Sequence, residues 1–176
     1  MSATPPRADR ARGTRIRAGN AMDRAQSAIV AGVGHCLVGQ GARKTTMIDI
    51  AAASGVAKGT LYNHVRTKSE AYALYADAEV TRLVDVLAVD GLAAAGREVA
   101  DHPALARMRA HEPAALASVL VSEASSPLRE RVLEALDDLV GAPSALALRW
   151  LLSLMVVPGT PESRAAEVAA LLGTGS

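Results

Sequence analysis

The segment Thr45–Lys68, TTMIDIAAASGVAKGTLYNHVRTK, leaves few folds open. Thr46 offers a hydroxyl cap and Asp49 follows three residues later, the pattern of a helix start over 46–53. Ser54-Gly55-Val56 stops that helix, because Gly55 takes the left-handed conformation of a sharp turn and Val56 plugs the core. A second helix over 57–65 buries Leu61 and Val65 at i, i+4, leaving Lys58, Gly59, Thr60, Tyr62, Asn63 and His64 on its other sides. Helices this short do not stand alone in water, so neighbours must support them. The pattern is a helix-turn-helix whose second helix presents hydrogen-bond donors.

The flanking sequence supplies the supports. A first helix is expected from about Asn20, with Met22, Ile29, Val33, Cys36 and Leu37 as its apolar stripe. Gly32, Gly34 and Gly39 each weaken it by up to about 1 kcal/mol, so packing must hold it. Thr67-Lys68-Ser69-Glu70 reads as a capping box opening a long fourth helix through Tyr72, Tyr75, Val80, Leu83 and Leu87. Lys68 in its first turn opposes the helix dipole, a cost that a bound phosphate would reverse. Beyond it, Pro103, Pro113, Pro127 and Pro161 stand at helix starts, and Gly141, Pro158-Gly159 and Gly173 at stops. Helices are expected at about 103–110, 113–124, 127–140, 143–157 and 161–172. No alternation marks a strand, so the fold class is all-α. Residues 1–18, with five arginines and little that is apolar, read as a disordered basic arm.

Charge separates the two halves. Residues 1–82 carry 12 Lys and Arg against 6 Asp and Glu, while residues 83–176 carry 7 against 12. The basic half holds the helix-turn-helix, as a polyanion partner requires. The apolar run near Trp150–Val157 is too short to span a membrane, and no apolar stretch follows the N-terminal arginines as a signal peptide needs. A single cysteine, Cys36, excludes an internal disulfide and fits a reducing cytoplasm.

Catalytic chemistry finds no footing. His35, His64, His102 and His111 are scattered without the i, i+4 spacing of a metal pair, and Asp137-Asp138 point in different directions on a helix. Asp101-His102 and His111-Glu112 bracket one short helix, a weak metal arrangement with loop solvation as the alternative. There is no glycine-rich phosphate loop. No enzyme activity, metal or cofactor is expected.

Thr45, Ile50-Ala51, Gly55-Val56, Leu61-Tyr62 and Lys68 stand in the register of the tetracycline-repressor (TetR) family of bacterial regulators. The chain resembles that family without insertion from Ile29 to about Leu74. It departs where Ala57 replaces the usual Ser or Thr cap, worth about 1 kcal/mol, and where Val65 and Leu37 replace aromatics. These changes bear on stability and leave the polar surface untouched.

The resemblance implies a helix-turn-helix DNA-binding domain over residues 19–66 and a helical effector-binding and dimerisation domain over 67–176. It implies a homodimer on palindromic double-stranded DNA, a repressor released by a small-molecule effector, with activation as the alternative. Resemblance and donor chemistry together assign Tyr62 and Lys68 to phosphates, with help from Thr46, and Lys58, Gly59, Asn63 and His64 to base edges; Thr60 suits either. A dimer is expected through Leu146, Trp150, Leu151, Leu154 and Met155 with Ala165, Val168, Ala169, Leu171 and Leu172. An effector pocket is expected among Met108, Leu116, Leu120, Leu133 and Trp150. With Arg107, Arg109 and Arg149 as its nearby charges, it suits an aliphatic, neutral or weakly anionic compound. The rival classes are a helical interaction protein using the helix-turn-helix as a structural corner, and a small helical enzyme.

Overall fold

The computed structural model describes residues 7–122 and 126–173, with the backbone alone for 7–21 and 122. The described residues form nine helices and no strand: α1 Arg7–Gly39, α2 Met47–Ser54, α3 Lys58–His64, α4 Lys68–Ala100, α5 Pro103–His111, α6 Pro113–Ser122, α7 Pro127–Val140, α8 Ser144–Leu154 and α9 Pro161–Leu171. Among them no helix is long and apolar enough to cross a membrane. The expected arm gives way to helix from Arg7, well before Asn20. Its residues are mostly Arg and Ala, which are strong helix formers. Residues 1–6 of that arm lie outside the described residues.

Two of the glycines in α1 are there for packing. A Cβ on Gly32 would stand 2.7 Å from the Ser54 amide nitrogen, and one on Gly34 would stand 3.0 Å from the Tyr75 ring. Their cost in helix propensity is thus offset by the close approach of α2 and α4. Gly39 has no such neighbour.

The long helix α4 is two helical arms joined at Gly91, whose φ of 78° and ψ of −175° lie outside the helical region. Arg82 bonds Glu98. In a straight helix those residues would be about 24 Å apart, so the chain folds back on itself at Gly91.

Two cores result. The first gathers Ile29, Val33, Cys36 and Leu37 of α1, Ile50 of α2, Leu61 and Val65 around α3, Ala71 of α4 and Ala104 of α5. The second gathers Leu87, Leu92 and Ala95 of α4 with Val132, Leu136, Leu148, Trp150, Leu151, Leu154 and Val168. The packing changes hands within α4: Tyr72, Leu74 and Tyr75 lean on the first core, Val80 and Leu83 on the second. Arg109 closes the joint, donating to Ala100 O at 2.8 Å and Met155 O at 3.3 Å, so one guanidinium caps the C-terminal ends of α4 and α8. Arg164 does the same for the loop before α9, donating to Pro158 O at 2.8 Å.

The expected dimer face needs correction. Trp150, Leu151, Leu154 and Val168 are at most 9% exposed and belong to the chain's own second core. The Trp150 indole donates to Glu167 at 2.5 Å and lies so close to α4 that a Cβ on Gly96 would meet its ring at 2.2 Å. Side chains so buried have no area left for a partner. Leu146 and Leu172 remain exposed, Met155 and Leu171 half-buried.

Candidate nucleic-acid interface

The helix-turn-helix is built by local chemistry on a buried floor. Thr46 caps α2 in a complete capping box: its hydroxyl accepts from the Asp49 amide at 3.2 Å, and the Asp49 carboxylate accepts from the Thr46 amide at 2.9 Å. The Thr46 hydroxyl also donates to the Asp49 carboxylate at 2.8 Å, and this bond, with those from the Thr46 amide and Gln40, holds the Asp49 carboxyl below its ordinary range. Gly55, with φ 66° and ψ 11°, ends the helix in the left-handed conformation. Ala57 sits in extended geometry before α3 and provides no side-chain cap. Leu61 is fully buried, anchoring α3 by one side.

That anchoring decides which residues face out. Lys58, Gly59, Tyr62 and Asn63 are exposed on α3, Thr46 is exposed at the start of α2, and Thr60 and His64 are half-buried at the edges of the same helix. Lys68 is half-buried at the start of α4, its ammonium donating to Ala42 O at 3.2 Å and Arg43 O at 3.4 Å and lying over the Tyr72 ring. The expected box on α4 is only half formed. Thr67 accepts from the Glu70 amide, but the Glu70 carboxylate takes the Arg66 amide at 2.7 Å.

The loop from Gln40 to Thr45 is held from outside the motif as well. Tyr72 donates to Ala42 O at 2.7 Å, and Glu112 accepts from the Ala42 and Arg43 amides. Neither contact is legible in the sequence. Glu112 stands out there only beside His111, and a bond across 70 residues leaves no local trace.

Between α1 and the two arms of α4 runs an open trough of about 680 Å³. Val30, Ala31 and Val38 form its apolar wall, and Tyr75, Glu79, Arg82, Glu98, Asp101 and His102 its polar side. His102 caps α5 with Nδ1, so Nε2 carries the proton and faces Glu79 and Tyr75, each at 3.4 Å. The His102 hydrogen bond, aided by Arg82 at 2.8 Å, draws the Glu79 carboxyl down to about 2 despite burial. Burial, with Glu79 beside it, pushes the Tyr75 phenol up. None of Met108, Leu116, Leu120, Leu133 and Trp150, expected around a pocket, lines this trough. Leu133 and Trp150 fill the second core, Met108 and Leu116 are buried on α5 and α6, and Leu120 is half-buried on α6.

Residues 35–71 match the family of bacterial regulatory proteins, tetR family. The matched stretch runs from the end of α1 through the turn at Gly55 to the first turn of α4, the part of the chain that closes the first core. No curated protein and no solved structure matches the chain. Over those residues the helix-turn-helix of this chain is therefore similar to that of the tetR family of bacterial regulatory proteins.

Proposed function

We propose that the protein is a transcriptional repressor that binds a palindromic operator as a homodimer and lets go when a small molecule binds. One observation carries the DNA half of this reading. The exposed side of α3 bears Lys58, Gly59, Tyr62 and Asn63, while its Leu61 side is locked into a core made by α1, α2 and α4. Asn63 suits adenine and Lys58 suits guanine, and Gly59 lets the backbone approach the groove. His64 and Thr60 flank them. Tyr62 and Lys68 are assigned to phosphates; Lys68 uses two carbonyls of the loop and keeps a third proton for a phosphate oxygen. Thr46 contributes through the start of α2, where unpaired amides favour an anion.

Dimerisation rests on what the second core leaves outside. Leu146, Val156, Val157 and Leu172 are exposed apolar residues on or beside α8 and α9. The effector half rests on the trough. It is large enough for a small molecule, and α1 and α4 both wall it, so a ligand there touches the DNA-binding unit directly. Four carboxylates (Glu79, Asp90, Glu98, Asp101) line it against two guanidiniums, Arg82 and Arg97. That balance reverses the charge expected from the sequence and favours an aliphatic cation, since Tyr75 alone offers a phenol ring.

Selection of bound duplexes from a random library tests the reading. The selected sites should share a two-fold symmetric sequence with half-sites about one helical turn apart, and affinity should fall steeply with salt. Selection of no duplex, or an affinity indifferent to salt, favours the helical interaction protein instead.

A further inference from the structure

We propose that Glu112 is a positioning residue for DNA binding, its carboxylate holding the α1–α2 loop in the place from which α2 starts; this rests on the regulator reading above. The two oxygens divide the work. Oε2 accepts from the Ala42 amide at 2.7 Å and Oε1 from the Arg43 amide at 3.0 Å. Bonds from amides to a carboxylate are charge-assisted and stronger than neutral ones.

The same peptide is gripped from its other side. Ala42 O accepts from Tyr72 Oη at 2.7 Å and from Lys68 Nζ at 3.2 Å. The loop is thus clamped between α4 and the α5–α6 joint. Gly41 makes room for the clamp: its φ is +86°, and a Cβ there would stand 2.8 Å from Glu112 Oε1. The clamped peptides lead directly into the start of α2. Thr45 is buried and its hydroxyl donates to Gly41 O at 2.7 Å, and Thr46 is the cap of the helix. The loop's position is therefore transmitted to α2 and, through Gly55, to α3.

The other end of Glu112 is tied to the joint. Its amide donates to Met108 O at 2.9 Å, ending α5, and its carbonyl accepts from Ala115 N at 2.9 Å, starting α6. A change in the angle between α5 and α6 must swing the carboxylate that holds the loop. Through this residue the helices beyond α4 can reset the DNA-binding unit.

Charge gives the proposal a sharp sign. Glu112 places a carboxylate against the loop that carries Arg43 and Lys44, so on electrostatics alone its removal tightens binding to a polyanion. A positioning role requires the opposite. Glu112→Ala should weaken binding to a duplex selected by the wild-type protein about tenfold, with the slope of log affinity against log salt unchanged because no phosphate contact is lost. Glu112→Gln, which keeps one carbonyl acceptor, should fall between, and it serves alone if the alanine variant does not fold. Leu136→Ala, far off in the second core, should cost stability and leave affinity intact. Wild-type or tighter binding by both Glu112 variants overturns the proposal.

Hydrogen exchange separates this failure from that of the regulator reading. The Ala42 and Arg43 amides should exchange faster in Glu112→Ala, with or without DNA. Unchanged exchange overturns the clamp itself. Faster exchange with no duplex selected by the wild type removes the DNA role and leaves the clamp standing.

Discussion

The two cores of this chain are held together differently. In the first, the helix ends of the motif are set locally, by a capping box at Thr46 and a left-handed Gly55, and longer-range contacts from Tyr72 and Glu112 hold only the loop before them. In the second, the decisive features join distant parts of the chain: the reversal at Gly91, the contact of Gly96 with Trp150, and Arg109 across two helix ends. Under the proposed function the first must present a fixed surface, while the second has only to be compact and to pass on movement. Damage to the two cores should therefore have separable consequences.

The largest effects come from emptying each core. Leu61 and Leu136 are both fully buried, and each Leu→Ala change should cost about 2–5 kcal/mol, a large part of a typical domain's stability. Leu61→Ala should also abolish DNA binding, because Leu61 orients α3. Leu136→Ala should lower the melting temperature and spare affinity at temperatures where the protein is folded. Equal loss of DNA binding in both variants would make the two cores one cooperative unit.

Next comes Gly96→Ala. The added methyl meets the Trp150 ring at 2.2 Å, and overpacking of this kind costs about 1–3 kcal/mol. Since Trp150 is the only tryptophan, its emission should shift in the folded variant, while DNA affinity should hold. A silent emission spectrum would place the ring elsewhere.

How much could be read in advance follows the same division. Thr46, Asp49 and Gly55 announce their roles because capping and turn chemistry act over three or four residues. Gly91 does not, since VDGLAAAG reads as continuous helix and a helical glycine costs only about 1 kcal/mol; packing of the second arm decides the reversal. Trp150, Leu151 and Leu154 form the apolar stripe that the sequence shows, but a stripe does not say whether its cover comes from the same chain. The trough, likewise, joins α1 to both arms of α4 and exists only once Gly91 has turned the chain.

A smaller effect tests how far the joint between the regions depends on charge. The Glu79 carboxyl, ordinarily near 4.5, is drawn to about 2 by His102 and Arg82. A depressed carboxyl contributes stability above its unfolded value and loses it as pH falls toward the folded one. The stability advantage of the wild type over Glu79→Gln should therefore be full above pH 4.5 and shrink from there toward pH 2. Denaturant melts at several pH values measure it, and a constant difference would mean that the carboxylate is not what His102 and Arg82 hold.

The smallest effect lies in the first core, at the start of α3, where no side chain caps the helix. Ala57 precedes α3 with φ −61° and ψ 145°, an extended geometry compatible with a cap, yet no side chain accepts from the helix's free amides. A seven-residue helix has little propagation to offset its nucleation, so an unsatisfied start matters more here than in α1 or α4. Ala57→Ser supplies the missing acceptor and should add about 0.5–1 kcal/mol of stability. It leaves the exposed Lys58, Tyr62 and Asn63 unchanged, so any gain in DNA affinity reports on the order of α3 and not on a new base contact. The expected result is slower amide exchange in the first turn of α3 and a modest rise in affinity with an unaltered salt slope. If exchange slows while affinity stays the same, α3 is already fully ordered by Leu61 and Val65, and the first core needs nothing from its cap.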